Sequence, residues 1–470
     1  MYDKVPRNIW VIFLKNLINE LKQLFKIGIP IFGSQVSYMG MAVTDTIVAG
    51  RASSLDLSGL AIGNAITIPI YFLLGGCFFA VTPIVAQLFG AKKFEEIGEK
   101  VREILWLSFF IGFIGFLLYR NLSAFLPLFN IDDNIAQISD GYLKAMSYGF
   151  FANMIFTCLR SYSEGMALTL PVFWVAFIGM LLNIPLDIIF VYGYFGIPPM
   201  GGVGCGIATS INIVVGMFVL IGIILNKREY GPTKLFSKFT KPNKETTFEA
   251  LKLGLPIGFG IFVELSMFSG AALILGSFGA TVVSAHTIAI NIASVFFILP
   301  LSIGLASATR IGNLIGEEKL SLAKYASYIS ILICLSGALI TTILILIFRE
   351  NLVAFYTSDI EVLTIAVNLL LFAAIFQIPD GLQMGALGSL RGYKDTFAPM
   401  LILIVTYWFI AIPVGYVLTF YGLNNSALGP PGMWIGMIIG LTIFAGLILA
   451  RLRYISNKFI LRTSPTPLES

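Results

Sequence analysis

Four carboxylates stand inside apolar runs of this 470-residue chain: Asp45, Asp187, Glu264 and Asp380. Holding an ionised Asp at the centre of a membrane-spanning helix costs roughly 2.5–3.5 kcal/mol on insertion scales, and no Lys or Arg shares the depth of these four. Without a basic partner, each acid has to be protonated, hydrated or matched by a bound cation. Proton or small-cation chemistry is therefore the first function these residues suggest. Glu264 lies close to the middle of its run. Asp380 follows Pro379 and precedes Gly381, so the backbone is expected to kink and free a carbonyl oxygen beside the acid. Gln377 and Gln383, three residues to either side, are expected on the same helix face, where they could serve a hydrated cation or a protonated acid. Glu264 and Asp380 are thus the candidate coupling residues and the candidate Na+ ligands.

Asp45 lies nearer the outer end of the first run, with Gln35 and Tyr38 on roughly the same face. Coupling, exposure to water and a rim pair with Arg51 are all open to it. Asp187 follows Asn183 by one turn, also in the outer part of its run. Together with Gln35, Tyr38, Gln377 and Gln383, this pair forms the secondary or substrate-cavity candidates. The lone His286, near the outer start of the eighth run, reads first as a satisfied packing residue. The 40 phenylalanines suit a cavity for flat aromatic cations, but lipid and other helices compete for them.

Composition says what must hold these acids. The chain is 57% hydrophobic and 12% charged, about half the charge of a soluble domain. With a mean hydropathy of +0.90, a soluble globular fold is excluded and lipid has to be the solvent. Charge-poor runs between residues 25 and 450 predict twelve transmembrane helices. The first run could pass for a signal peptide, but it lacks a small-residue cleavage site and recurs in mid-chain, so it reads as a retained helix. With a cytoplasmic N-terminus, 26 of the 30 Lys and Arg residues fall on the inner side, as the positive-inside rule requires. Only Arg51, Arg120, Lys144 and Arg349 fall outside, and the even helix count leaves both termini cytoplasmic. The four cysteines lie in apolar segments without CxxC spacing, which marks packing residues. The chain has no GxxxxGK[ST], no HExxH and no βαβ context for Gly201-Gly202-Val203-Gly204, so energy from ATP hydrolysis is not expected.

The sequence also repeats itself. Leu24-Phe25-Lys26-Ile27-Gly28-Ile29-Pro30 recurs as Ala250-Leu251-Lys252-Leu253-Gly254-Leu255-Pro256, an offset of 226 from Lys26 to Lys252. The same offset joins Gln87-Leu88-Phe89-Gly90 to Asn313-Leu314-Ile315-Gly316 and Asp133 to Asp359, and drifts to 228 at Ile184-Pro185 and Ile412-Pro413. Equal helix parity makes these parallel repeats, a carrier architecture with the solute path between its halves. The expected organisation is an N-terminal cytoplasmic segment (1–24), an N-lobe (25–226), a Lys-rich solvated linker (227–251), a C-lobe (252–450) and a cytoplasmic tail (451–470).

Several stretches together resemble the multidrug and toxic compound extrusion (MATE) family, in its NorM-like bacterial branch. They are Val43-Thr44-Asp45-Thr46-Ile47-Val48-Ala49-Gly50-Arg51, Thr82-Pro83-Ile84-Val85-Ala86-Gln87-Leu88-Phe89-Gly90-Ala91, Gly254-Leu255-Pro256-Ile257, and Ser284-Ala285-His286 running into Leu299-Pro300-Leu301-Ser302. The resemblance implies an all-α, two-lobed carrier of the bacterial inner membrane that exports cationic amphiphilic drugs and dyes in exchange for Na+ or H+. It also implies that Asp45 is tied to coupling and substrate handling, and Glu264 and Asp380 to cation binding. Some Na+-coupled relatives carry oxygen ligands where this chain has Phe268 and Phe376, so the coupling ion stays open. No cofactor, enzyme activity or nucleic-acid partner is expected; membrane lipid and a monomeric state are. A flippase for lipid-linked precursors is the competing reading, disfavoured by the scarcity of Arg and Lys inside the runs. An intramembrane transferase would need a second acidic cluster besides Asp132-Asp133.

Overall fold

In the computed structural model, residues 7–129, 131–422 and 426–463 are described. The outermost parts of the expected N-terminal segment and tail, residues 1–6 and 464–470, lie outside the described residues. The chain is nearly all helical: α1 (Arg7–Ala52), α2 (Ser54–Gly75), α3 (Val81–Gly90), α4 (Phe94–Asn121), α5 (Asp133–Gly165), α6 (Thr169–Tyr192), α7 (Gly202–Asn226), α8 (Lys244–Leu275), α9 (Ala280–Gly316), α10 (Leu320–Ala354), α11 (Ile360–Gly392), α12 (Phe397–Ile404), α13 (Ile412–Phe420) and α14 (Pro430–Thr463). A 3₁₀ turn, Gly76–Ala80, joins α2 to α3. A π-helical turn, Val405–Ala411, joins α12 to α13.

Among the described residues, ten helices are long and apolar enough to cross a membrane, against the twelve expected. The shortfall falls on α1 and α5, with 46 and 33 residues. Their length is ample at about 1.5 Å per residue, but Ser34-Gln35 in α1 and Arg160–Glu164 in α5 dilute their apolar character. The exposed span faces are apolar, as lipid requires: Phe110, Phe113, Ile114, Leu117 and Leu118 of α4 are all exposed. All four cysteines are buried and free.

The chain forms two compact units. One comprises Pro30–Phe262 (the N-unit); the other comprises Val263–Ser470 with Met1–Ile29 (the C-unit). The unit boundaries therefore fall within α1 and α8. The N-terminal part of α1 is held in the C-unit by Glu20, which accepts from Arg310 Nε at 2.8 Å and Nη2 at 2.6 Å. The Glu20 side chain is 3% exposed.

In the N-unit the linker after α7 is packed down rather than solvated throughout. Tyr230, Thr233 and Leu235 are buried. Arg102 of α4 donates to Thr240 Oγ1 at 2.6 Å and to the Lys234 carbonyl at 2.8 Å. Trp106 Nε1 donates to the Thr240 carbonyl at 2.9 Å, and Lys234 pairs with Glu95 at 2.5 Å. The lysines remain at the surface while the apolar and hydroxyl residues between them supply the anchor.

In the C-unit, α11 pairs extensively with both α9 and α10, and small residues permit it. A Cβ on Gly381 would stand 2.6 Å from Ala338 Cβ, one on Gly385 2.7 Å from Ile331 Cα, and one on Gly392 2.9 Å from Ile311 Cβ. Gly388 lies directly against the Gly304 carbonyl of α9. These glycines recur every three or four residues on one side of α11, the small-residue spacing that lets membrane helices approach closely. Asp380 and Gln383 are placed by this packing. Pro379 lies inside a continuous α11, where it deprives the Ile375 carbonyl of its helical donor. Pro413 removes the amide that would bond the Phe409 carbonyl, and the helix widens into its π turn just before it.

Gly388→Leu should cost at least about 3 kcal/mol by overpacking α9 against α11. A Cβ at Gly446 meets nothing within 4 Å, so Gly446→Leu should stay within about 0.5 kcal/mol. Thermal unfolding in detergent would separate the two. Arg310→Leu strands the Glu20 carboxylate and should cost about 3–5 kcal/mol, with partial recovery when Glu20→Gln is added.

Candidate functional site

Each unit contains one buried pair of carboxylates bridged by a side-chain amide. In the N-unit the parts come from α1, α6 and α7. Asn183 Nδ2 donates to Asp45 Oδ1 at 3.1 Å and to Asp187 Oδ2 at 2.9 Å. Thr209 Oγ1 donates to Asp45 Oδ2 at 3.1 Å, and Cys205 Sγ lies 3.6 Å from the Asp45 carbonyl. Asp45 is 6% exposed, and Asn183 and Asp187 are fully buried. Asn183 and Asp187 meet because they are one turn apart on α6. Arg51 is exposed and forms no ion pair with Asp45, so the rim pairing is not adopted. Asp187 Oδ1 and Asn183 Oδ1 have no partner. The cluster is rich in acceptors and poor in donors, and two carboxylates in so dry a place need a proton or a cation between them.

In the C-unit, α8, α11 and the π turn supply the corresponding parts. Gln383 Nε2 donates to Asp380 Oδ1 at 2.8 Å and to Glu264 Oε1 at 3.3 Å. Tyr407 OH donates to Gln383 Oε1 at 3.1 Å, which fixes the amide with its N–H groups toward the acids. Asp380, Gln383 and Tyr407 are buried and Glu264 is half-buried. Arg391 lies three turns beyond Asp380 along α11, and its Nε has no hydrogen-bond partner. Phe268 and Phe376 meet edge to face at 6.0 Å, an apolar contact that offers no oxygen to the acids.

Three of the secondary residues are placed apart from the acids beside which the sequence put them. Gln377 donates through Nε2 to the Ala293 carbonyl of α9 at 2.9 Å instead of turning to Asp380. Gln35 and Tyr38 lie two turns or more from Asp45 along α1 and meet Arg160 of α5. Arg160 Nη2 donates to Gln35 Oε1 at 3.3 Å, and its guanidinium lies over the Tyr38 ring at 5.2 Å. Arg160 Nε also binds Glu164 Oε1 at 2.7 Å, with side chains 12% and 7% exposed. Asn183, Asp187 and Gln383 do join the carboxylate clusters. Thr209 and Tyr407 escaped sequence reasoning; the signal available was a hydroxyl set within an apolar run.

Two segments of the chain, residues 30–189 and 256–417, match the MatE family. They begin 226 positions apart, at 30 and 256, and end 228 apart, at 189 and 417, in step with the internal repeat. The chain is 36% identical to the multidrug resistance protein NorM of Photobacterium profundum, over 94% of this chain and 97% of that one. It is 35% identical to the multidrug resistance protein MdtK of Yersinia pseudotuberculosis, over 95% and 98%. The fold is that of a MATE transporter solved in complex with MaL6, with a TM-score of 0.86 at 18% identity over 94% and 97% of the two chains. The chain belongs to the MatE family, a family of membrane transporters and not of enzymes.

Proposed function

We propose that the protein is a secondary active antiporter of the bacterial inner membrane that exports cationic, amphiphilic drugs and toxic compounds in exchange for Na+ or H+. The observation that carries this reading is the pair of amide-bridged carboxylate clusters, Asp45–Asn183–Asp187 and Glu264–Gln383–Asp380. Each lies wholly within one unit. The relatives named as multidrug resistance proteins support the substrate class. Both termini are cytoplasmic in this reading, from the placement of Lys and Arg. The transporter works as a monomer in lipid, without cofactor or nucleic acid.

An outward-open state admits the ion to the carboxylates; its binding lowers the affinity for drug and favours return to the inward-open state. The membrane potential supplies about 2.3 kcal/mol per charge per 100 mV, in addition to the concentration gradient. Asn183 and Gln383 hold the acids of each pair at fixed separation, so the incoming ion meets a preformed site. For Na+, the oxygen-bearing side chains in the C-unit are Glu264, Asp380, Gln383 and Tyr407. For H+, one acid of each pair takes the proton while both continue to accept from the amide N–H groups. Flipping of anionic lipid precursors is the weaker reading because Arg160, the buried base of the N-unit, is taken up by Glu164.

The test is dye movement in liposomes loaded with a fluorescent cationic dye, under a Na+ gradient or a pH gradient alone. Wild type should move dye under at least one gradient, which identifies the ion, and Asp45→Asn and Asp380→Asn should each slow it by at least roughly tenfold. Folded wild type that moves no dye under either gradient would overturn the reading and direct attention to lipid flipping. Tyr407→Phe removes a single neutral hydrogen bond worth about 0.5–1.5 kcal/mol. It should therefore shift the half-saturating ion concentration by roughly two- to tenfold, measured in the same vesicles, without loss of fold.

A further inference from the structure

Away from the carboxylates, the C-unit buries a second polar group that the exchange reading does not use. His286, the only histidine of the chain, is fully buried in α9, and neither of its ring nitrogens has a partner. Its ring meets Trp434 of α14 edge to face at 5.7 Å, and Trp434 Nε1 is likewise buried and unpartnered. Trp434 in turn meets Phe376 of α11 at 6.3 Å. The next residue, Gln377, is fully buried with its Oε1 unpartnered and its Nε2 on the Ala293 carbonyl. Ala293 lies two turns after His286 on the same face of α9. Four orphan polar atoms thus lie on three helices joined by these contacts. Leaving each of them dry would cost about 1–3 kcal/mol, so their arrangement requires a small hydrogen-bonding ligand that both donates and accepts, which water does.

The row also has a direction. His286 is seven residues into α9 and Trp434 five into α14, so both lie near the outer ends of their helices in the proposed topology. Gln377 is one turn before Asp380 on α11. His286 meets Trp434 of α14, and its neighbours Ala285 and Ala289 on α9 are buried and uncharged, while Phe376 of α11 lies against Trp434 and Gln377 against the Ala293 carbonyl. Beyond Gln377 stand Asp380, one turn on along α11, and Glu264, which Gln383 joins to it. Arg310, Arg391 and Arg451 stand at the far ends of α9, α11 and α14.

We propose that His286, Trp434 and Gln377 line a water-bearing proton route from the outer end of α9 to the Glu264–Gln383–Asp380 cluster, with the His286 imidazole as its relay. A proton from outer water adds to one ring nitrogen while the other ring nitrogen releases its own into a chain of waters, as the two helical turns between His286 and Ala293 require, that ends at the water held by Gln377. That water passes a proton to the Asp380 carboxylate, and tautomer exchange resets the ring. His286 is here a positioning and relay residue that touches no drug. The proposal rests on the proton branch of the exchange reading.

Two measurements test it, and the first does not depend on transport. Protein labelled with ¹⁵N-histidine contains one imidazole, so its ring signals are unambiguous. The route predicts that this fully buried ring exchanges its N–H with bulk water within seconds and shows contacts to bound water. A ring N–H protected for hours would overturn the proposal whether or not the protein moves dye. In dye-loaded liposomes under a pH gradient, His286→Phe keeps the ring contact with Trp434 but has no nitrogen, and should slow dye movement by at least roughly tenfold. Dye affinity and thermal stability should stay near wild type. His286→Ala should be slowed similarly and recover at least in part with added imidazole, which a purely structural role would not produce. Wild-type rates in His286→Phe, or absence of imidazole rescue, would overturn the relay. Dye movement driven by Na+ alone would also overturn it while leaving the efflux reading intact.

Discussion

The cost of placing negative charge in a medium that cannot solvate it governs this protein. A carboxylate between apolar helices has to be neutralised or paired, and breaking such an arrangement costs several kcal/mol. The chain meets this requirement twice with the same device, a carboxamide whose N–H groups face two acids. Asn183 serves Asp45 and Asp187; Gln383 serves Asp380 and Glu264. The amide brings no charge of its own, so in the proposed exchange the negative charge of each pair is what an incoming cation would meet. A Lys or Arg in the same place would satisfy the acids permanently and leave nothing for an ion to do.

The two clusters are not copies of one another. With the repeat offset of 226, the position matching Asp45 is Ala271 and that matching Glu264 is Tyr38. Within a duplicated scaffold the acids therefore stand at non-equivalent places, and the duplication itself did not dictate the chemistry. The scaffolds diverge locally as well. Pro185 is accommodated inside a continuous α6, whereas its counterpart Pro413 follows a π turn that carries Tyr407 onto Gln383. Widened turns of this kind recur at functional positions because they rotate the following side chains out of the regular helical register.

Close backbone approach is the second requirement. In lipid, apolar side chains gain little from mutual burial, so helices associate through fit and hydrogen bonding. The row Gly381, Gly385, Gly388 and Gly392 brings α11 against α9 and α10, and that contact sets where Asp380 and Gln383 stand. Charge is managed differently at the helix ends. Glu20–Arg310, Asp395–Arg451 and Arg160–Glu164 are direct ion pairs, a contrast that separates anchoring from the acid clusters left without a bound base.

The sequence by itself determined the solvent, the helical class, the duplication and the identity of the acids. Apolar length, charge-free runs and a constant offset are properties of the chain that no packing can alter. It also gave good reason to single out Asp45, Glu264 and Asp380, since an acid with no base at its depth is expensive wherever the helix is placed. Tertiary structure decided the partners. Helical spacing put Gln35 and Tyr38 on the face of Asp45, yet a neighbouring helix brought Arg160 to them and left Asp45 to Asn183 and Thr209. Likewise, Gln377 and Gln383 are equivalent by spacing from Asp380, but only Gln383 bonds it, because Gln377 faces the Ala293 carbonyl of α9. The linker read as solvated on its lysines, whereas its tyrosine and threonine are buried. In each case the sequence specifies which side chains share a helix face, while the atoms they meet belong to segments far away in the chain, and only packing brings those together.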